Sequence, residues 1–273
     1  MTRVAVAGLG LIGGSLALAV RARGYDHRVA VREAARKRGI DVAETLGEAL
    51  AGAELAVAAV PTDASFDLLL AMARAAPSLI LTDTASVKRP LVERAAELPA
   101  GVRFVAGHPM AGSQKSGVEA ASAELFRGRP WVLCRTARSD DGALAAVEQL
   151  LHAVGARPVR LDAARHDVLM TLASHLPLAV AASLARAAWA AAPELPAVAG
   201  PGLLDTTRVA GQPLPLALEL ALADPAALAD AVEVVRDELA KLGGALRAGD
   251  AAAVRAFLEE AAARRRQLDQ VVP

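Results

Sequence analysis

A glycine-rich turn near the amino terminus constrains the fold more than any other stretch of the chain. The apolar run Val4–Ala7 has the composition of a buried strand, and it leads directly into G-x-G-x-x-G at residues 8–13. An Ala- and Leu-rich segment predicted to be helical comes next, from Ser15 to Arg23. A strand, a glycine turn and a helix in this order are typical of a dinucleotide-binding site. The residues predicted to hold the diphosphate are Gly8, Gly10, Leu11, Ile12 and Gly13.

Each glycine of the turn has its own physical reason. Gly8 permits the tight turn, Gly10 lets a pyrophosphate approach the backbone, and Gly13 lets the helix pack closely on the strand. The helix after the turn offers free N–H groups and a partial positive charge to the diphosphate.

The end of the second strand decides which nicotinamide cofactor is preferred. We predict that strand at Arg28–Arg32. An acidic residue there would bind the ribose hydroxyls of NAD, whereas arginine accommodates the 2′-phosphate of NADP. Arg32 and the basic run at residues 36–38 favour NADP, while the neighbouring Glu33 favours NAD. We therefore expect NADP, with NAD as the alternative.

The first part of the chain alternates between strand-like and helix-like segments. This alternation predicts an α/β fold with a Rossmann-type, mostly parallel sheet. The further strands are predicted at Leu55–Val60, Leu79–Asp83, Arg103–Ala106, Trp131–Cys134 and Pro158–Leu161. Helices are predicted at Ala64–Ala75, Pro90–Glu97 and Gly142–Val154.

The alternation stops at about Ala163, and the remaining residues are Ala- and Leu-rich with helical spacing. We predict a dinucleotide-binding domain at residues 1–162 and an all-helical substrate and dimerisation domain at 163–273. A long helix from Ala163 to Ala192 should be kinked at Pro177. Further helices are predicted at residues 214–222, 226–242 and 250–270. Helices this apolar need partners, which predicts a homodimer through this domain.

Composition excludes several classes of function. The formal net charge of +0 leaves no basic excess for nucleic acid, and the single cysteine, Cys134, provides neither a disulfide nor a thiolate cluster for a metal. One cysteine and a strand at the very start of the chain predict a cytoplasmic protein with no signal peptide. The apolar stretch Leu176–Leu204 is interrupted by Arg186, Glu194 and several prolines, so we expect a buried helical region and not a membrane span.

Polar groups come after two neighbouring strands of the predicted sheet, where ligands of such sheets bind. The first group is residues 83–88, which contain Ser86, and the second is residues 107–117, which contain His108, Ser113 and Gln114. His108 comes just after a strand and lies in a Gly- and Ser-rich loop that can close over a small substrate. A neutral imidazole there can accept a proton from a hydroxyl while a hydride leaves. The alternative is a structural role, in which His108 only hydrogen-bonds the turn.

A set of motifs, in this order along the chain, resembles the prephenate and arogenate dehydrogenases of tyrosine biosynthesis. The motifs are GLGLIGGS at residues 8–15, TASVK at 84–88, GHPMAGSQKSG at 107–117, His166-Asp167, and SHLP at 174–177. The resemblance covers nearly the whole chain. It implies an oxidative decarboxylation, in which a cyclohexadienol that carries a ring carboxylate loses a hydride to NAD(P)+ and then CO₂.

The resemblance also implies roles for individual residues. His108 matches the family's catalytic histidine, which accepts the proton of the ring hydroxyl, and Ser86 matches a serine that bonds the same hydroxyl or His108. Arg208 matches the arginine that pairs with a substrate carboxylate, for which a bidentate guanidinium is suited. Ser174, Ser113 and Gln114 match further substrate-binding positions. The family needs no metal.

Three departures from the family's pattern concern substrate choice. Leu178 replaces the histidine that ends SHLPH in many prephenate-using members, at a position that regular helical spacing would place on the same face as Ser174. An apolar residue there is common in members that prefer arogenate. Gln114 replaces a glutamate and Leu204 replaces a basic residue. We therefore expect arogenate to be favoured over prephenate. A single, monofunctional enzyme is expected, because no regulatory or mutase segment is recognisable.

Three other functions compete with this interpretation. β-Hydroxyacid dehydrogenases use a catalytic lysine on the second-domain helix, but residues 163–192 contain no lysine. A relative that acts on an amino-substituted prephenate in secondary metabolism fits the altered pocket residues as well. A non-catalytic, cofactor-binding regulator is disfavoured because His108, Ser86 and Arg208 are all present.

Overall fold

The computed structural model describes residues 2–112 and 115–269 of the chain. Contacts between Cα atoms divide the chain into two compact units, and the division falls between Met170 and Thr171. The predicted domain boundary, at residues 162 and 163, lies at the start of a helix, Ala163–Met170, that belongs to the first unit.

The first unit is built on a seven-stranded sheet among the described residues. Its strands are β1 (Val4–Ala7), β2 (Arg23–Tyr25), β3 (Leu55–Ala58), β4 (Ile80–Asp83), β5 (Arg103–Pro109), β6 (Pro130–Cys134) and β7 (Arg157–Arg160). Their spatial order is β2-β1-β3-β4-β5-β6-β7, and each neighbouring pair is parallel except β5 and β6. The predicted α/β class with a mostly parallel sheet is confirmed.

Helices cover both faces of this sheet, as its apolar strands require. They are α1 (Leu11–Val20), α2 (Val29–Lys37), α3 (Leu46–Leu50), α4 (Thr62–Ala75), α5 (Arg89–Arg94), α6 (Asp141–Ala153) and α7 (Ala163–Met170). One core lies under α1 and α6 and includes Leu16, Phe126 and Trp131. The other lies under α4 and includes Phe66 and Phe104. The strands that carry polar groups at their ends are therefore held by packing on both sides.

The second strand is not where we predicted it. Residues 28–32 begin helix α2, with Arg28 as the N-cap, and the strand is the shorter segment Arg23–Tyr25. The run Arg28–Arg32 has strand-like alternation, but the Ala-, Arg- and Lys-rich residues after it are strong helix formers, and Ala35 is buried. Tertiary packing on Ala35 decides for the helix.

Strand β5 is longer than predicted, because it continues to Pro109 and so includes His108. The antiparallel partner β6 causes the extension, since Val132 pairs with His108 and Trp131 with Pro109. His108 therefore lies at the end of a strand and not in a flexible loop.

The second unit is helical, as predicted. It contains a π-helical turn at Thr171–His175, then α8 (Leu176–Ala191), α9 (Pro201–Thr207), α10 (Leu214–Ala221), α11 (Pro225–Ala248) and α12 (Ala251–Asp269). The long helix predicted from Ala163 to Ala192 is divided by this π-turn. Pro177 lies two residues after the π-turn, and π-turns are one of the known irregularities that accompany proline within a helical run.

Much apolar surface of this unit is exposed. Trp189 is 57% exposed and Val198 is 79% exposed, so the expectation that Leu176–Leu204 is buried is wrong for the single chain. By length and composition alone, one helical run of the described chain, Ala163–Ala191, is able to cross a membrane, a test that core helices of soluble proteins also pass. Its first turns are buried at His166 and Asp167 within the sheet-containing unit.

Candidate functional site

The glycine turn between β1 and α1 has the shape of a diphosphate site. Gly8 has φ +97°, and a Cβ on it would lie 2.2 Å from the carbonyl oxygen of Ala59. A Cβ on Gly13 would lie 1.8 Å from the carbonyl oxygen of Gly8, so the helix packs directly on the turn. By contrast, a Cβ on Gly10 would meet no described atom within 4 Å. The backbone at Gly10 therefore faces open space, beside the first N–H groups of α1, where a pyrophosphate fits.

The residue at the end of β2 is acidic, and the sequence prediction missed it. Asp26 directly follows the strand and accepts a hydrogen bond of 3.0 Å from the backbone N–H of Leu9, within the glycine turn. Its other oxygen accepts bonds of 3.0 Å from the backbone N–H and the Nε of Arg28. Asp26 thus occupies the position that in such folds contacts the ribose.

The carboxyl group of Asp26 is held in its ionised form. Burial alone would raise its pKa, but hydrogen bonds from the Arg28 side chain and from the backbone N–H groups of Leu9 and Arg28 outweigh that effect and lower the pKa below its ordinary value. A negative charge therefore lies at the edge of the dinucleotide site.

The two residues predicted to choose the cofactor lie elsewhere. Arg32 is in α2 and its Nη1 donates to the carbonyl oxygens of Asp26 and His27, which braces the end of β2. Glu33 is exposed on the same helix. Arg32 therefore supports the loop after β2 and is not its terminal residue.

Beneath the predicted catalytic residues lies a buried ion pair. The Nζ of Lys88 contacts the Asp83 carboxylate, and both side chains are fully buried. Lys88 also donates to the carbonyl oxygen of Gly107 at 2.7 Å, and Asp83 accepts from the N–H of Gly107 at 2.9 Å. The pair therefore clamps the residue before His108 and fixes where that side chain starts.

The carboxyl edge of the sheet brings the predicted catalytic residues together with partners that the sequence did not reveal. The Oγ of Ser86 is 3.2 Å from the Oγ1 of Thr62, which lies at the start of α4. The Nδ1 of His108 is 2.9 Å from the Nε2 of His166 on α7. The sequence shows His166 only as part of a family motif. Its separation of 58 residues from His108 leaves no local signal of the contact.

The predicted substrate-binding residues of the second unit have different environments. Arg208 is exposed just after α9, at the start of a 3-10 turn, Arg208–Gly211, that packs on α8. Ser174 is half-buried in the π-turn. Leu178 is 6% exposed on α8. Because Ser174 lies within the π-turn and Leu178 lies in α8, regular α-helical spacing does not relate the two residues as predicted.

Two predicted site residues, Ser113 and Gln114, lie outside the described residues. Within the described ranges there is no group of three or more His, Cys, Asp or Glu side chains that could hold a metal ion. The described residues of the first unit thus offer an imidazole and hydroxyl groups at the carboxyl edge of the sheet, together with a diphosphate-shaped turn. The second unit offers the exposed guanidinium of Arg208.

Family models match both parts of the chain. Residues 16–160 match the model described as "Prephenate dehydrogenase, nucleotide-binding domain". Residues 162–260 match "Prephenate dehydrogenase, dimerization domain".

Individual relatives agree with these models. A prephenate dehydrogenase of Lactococcus lactis is 32% identical over 275 residues, which cover 95% of this chain and 75% of the relative. A prephenate dehydrogenase of Bacillus subtilis is 34% identical over 76% of this chain and 60% of its own length. The crystal structure of Synechocystis arogenate dehydrogenase superposes with a TM-score of 0.83 at 28% identity, over 98% of this chain and 100% of that one.

Proposed function

The chain belongs to the prephenate dehydrogenase family, and we propose that it oxidises arogenate in preference to prephenate, with NAD+ as the preferred hydride acceptor. The reaction class is NAD(P)-linked oxidative decarboxylation in tyrosine biosynthesis. The observation that supports it best is the position of His108, at the carboxyl edge of the sheet and hydrogen-bonded to a second, fully buried imidazole.

In the proposed mechanism His108 accepts the proton of the ring hydroxyl. Ser86, positioned through Thr62, hydrogen-bonds that hydroxyl or His108 and orients it. A nicotinamide cofactor, when bound, supplies the hydride acceptor. As the hydride leaves the ring carbon, the O–H electrons form the carbonyl. Loss of CO₂ then passes an electron pair into the ring, which becomes aromatic and makes the step effectively irreversible.

Arg208 is proposed to bind a substrate carboxylate. Its side chain is exposed, so the two parallel N–H donors of the guanidinium are accessible to an anion. Ser174, Ser113 and Gln114 are proposed to contact the rest of the substrate.

The choice of cofactor rests on Asp26. The expectation of NADP depended on Arg32 at the end of the second strand, and that position is occupied by Asp26. An ionised carboxylate there accepts bonds from ribose hydroxyls and repels a 2′-phosphate. We therefore propose NAD+ as the preferred cofactor, with Arg28 moving aside from the carboxylate when the ribose binds.

The choice of substrate rests on Leu178. The position is buried and apolar, so it provides no polar partner to the pyruvyl side chain of prephenate. Arogenate carries an amino group on that side chain, and family members that prefer it commonly have an apolar residue here. The relatives include enzymes of both names, which leaves this preference to the pocket itself.

We further propose a homodimer formed through the helical unit. The matching family model is described as a dimerization domain, and α10, α11 and α12 expose apolar side chains in this unit. Exposed examples are Leu214, Val234, Leu246 and Leu258. Light scattering on the purified protein tests this, and a mass of one chain would contradict it. The cytoplasmic location stays a prediction.

The decisive assay crosses arogenate and prephenate with NAD+ and NADP+ and monitors reduced nicotinamide. We expect the highest kcat/KM for arogenate with NAD+. Turnover of prephenate alone would overturn the substrate preference and leave the reaction class intact. Silence in all four combinations, with cofactor binding retained, would contradict the proposed function and direct the search to amino-substituted prephenates.

A further inference from the structure

His108 is the outer member of a hydrogen-bonded triad of side chains, His108, His166 and Asp167. Beyond it, the Nδ1 of His166 lies 2.7 Å from the Oδ1 of Asp167, and the two imidazole rings meet edge to face, with centroids 5.1 Å apart. His166 is 0% exposed, and both of its ring nitrogens are engaged. In a neutral imidazole one ring nitrogen donates and the other accepts, so the directions of its two hydrogen bonds depend on each other.

The inner member of this triad, the Asp167 carboxylate, can only accept hydrogen bonds. The carboxylate of Asp167 receives the backbone N–H of Lys88 at 2.8 Å and that of Arg89 at 2.9 Å. Burial opposes ionisation of Asp167, but the hydrogen bonds from His166 and from these two N–H groups keep its pKa below the ordinary value. An ionised carboxylate has no proton to donate, so the Nδ1 of His166 must be the donor.

For a neutral His166, the direction of its bond to Asp167 determines the direction of its bond to His108. A neutral His166 that carries its proton on Nδ1 has an unprotonated Nε2, which only accepts. The Nδ1 of His108 must then carry a proton and donate it to His166. The proton of a neutral His108 is thereby confined to Nδ1, and its Nε2 is the basic nitrogen.

We infer that His166 and Asp167 are positioning residues that hold His108 in the tautomer whose Nε2 accepts the substrate proton. This inference rests on the proposed role of His108 as the base. His166 and Asp167 touch neither substrate nor cofactor in this scheme, and they act only through His108.

The same triad stabilises the positive charge that the reaction creates on His108. When the Nε2 of His108 takes the substrate proton, the ring becomes an imidazolium whose Nδ1–H points at His166, with the Asp167 carboxylate beyond it. Buried dipoles and charges that are already oriented need no rearrangement as charge develops. All three residues belong to the first compact unit, so this arrangement is complete within it.

The experiment combines kinetics with 15N NMR of histidine-labelled protein, because ring nitrogen shifts report the tautomer directly. The signal of His108 is identified by its loss in His108→Asn. In the wild-type protein we expect His108 to carry its proton on Nδ1. A proton on Nε2 would overturn the inference, whatever the activity of the protein.

The main variant is His166→Phe, which removes the acceptor and keeps a ring in the buried space. We expect His108 to lose its single tautomer and kcat to fall about 100-fold, with the KM for the cofactor unchanged. His152→Phe, the same change at an exposed histidine of α6, is the control and should change neither quantity. An unchanged kcat in folded His166→Phe would contradict the inference.

A second variant guards against a misfolded His166→Phe protein. In His166→Gln the amide oxygen can accept from His108 and the amide nitrogen can donate to Asp167. We expect this variant to retain the Nδ1–H tautomer and more activity than His166→Phe; equal loss in both, with the tautomer unchanged in both, would count against positioning. Because the NMR readout needs no substrate, failure of the proposed function and failure of this inference give different results.

Discussion

The Oδ2 of Asp26 lies 3.0 Å from the backbone nitrogen of Leu9, so the end of β2 is tied directly to the turn between β1 and α1. The carboxylate proposed to face the ribose and the backbone proposed to face the diphosphate are therefore joined by a hydrogen bond. The distance between the two halves of the dinucleotide site is fixed by the fold itself.

Replacing Asp26 should change the cofactor preference. In Asp26→Ser the negative charge is lost and Arg28 is released to meet a 2′-phosphate, so the ratio of kcat/KM for NAD+ to that for NADP+ should fall about tenfold or more. Glu33→Ser is the control, because Glu33 is exposed on α2. A shift of the ratio in Glu33→Ser and none in Asp26→Ser would disprove the assignment of Asp26.

Two glycines of the turn should respond differently to replacement by alanine, one through cofactor binding and the other through stability. Gly10→Ala places its methyl group in open space, so the protein should unfold at the wild-type temperature while the KM for the cofactor rises about tenfold or more. Gly13→Ala drives a methyl group into the Gly8 carbonyl and should lower the free energy of unfolding by roughly 1–3 kcal/mol. Thermal melts and cofactor titration separate the two effects, and a destabilised Gly10→Ala would contradict the geometry.

Replacing the proposed base should remove chemistry and spare binding. His108→Asn cannot accept the hydroxyl proton, so kcat should fall by about 10²–10⁴-fold. Cofactor affinity, measured by fluorescence titration, should stay at the wild-type value, because the diphosphate turn lies on other strands. Full activity of this variant would eliminate His108 as the base.

The buried ion pair should be costly to break from one side. Lys88→Met leaves the Asp83 carboxylate buried without its cation, and the free energy of unfolding should fall by roughly 3–5 kcal/mol. The double variant Lys88→Met, Asp83→Asn removes both charges and should recover part of that loss. Urea unfolding measures both variants; a double variant less stable than the single one would contradict the pairing.

The single cysteine should be chemically silent in the folded protein. Burial is the main cause that raises the pKa of the Cys134 thiol, to about 12, so the reactive thiolate is scarce near neutral pH. A thiol reagent at pH 8 should label Cys134 only as fast as the protein unfolds, and rapid labelling in urea serves as the positive control. Immediate labelling of the native protein would contradict this burial.

The sequence predicts the sheet well where a single local signal is sufficient. Strand β1 and the glycine turn combine an apolar run with steric demands that only glycine meets. Strand β2 has no such signal, because three residues are too short for a periodic pattern. The close neighbour of its Gly24 is the Leu9 side chain, 2.7 Å from where a Cβ would lie, and this is a tertiary contact that local sequence does not show.

Family motifs predict His108, Ser86 and Arg208 as site residues, but they do not predict which side chains contact His108 and Ser86. Thr62 and His166 act through contacts between elements that are far apart in the chain. His166 and Asp167 are recognisable as a motif, yet nothing in their spacing identifies His108 as the neighbour. Placing Asp26 required the true end of β2.

The pairing of His108 with Val132 in the β5–β6 ladder has a consequence for how heat inactivates this enzyme. A base carried on a mobile loop can leave its catalytic position on heating while the rest of the molecule is still folded. Such a protein loses activity below its unfolding temperature. Here the proposed base, His108, can leave its place only if the pairing of β5 with β6 is lost. Turnover should therefore persist up to the temperature at which the sheet unfolds cooperatively, and it should be lost at that temperature. The rate of turnover then reports whether the β-sheet is intact.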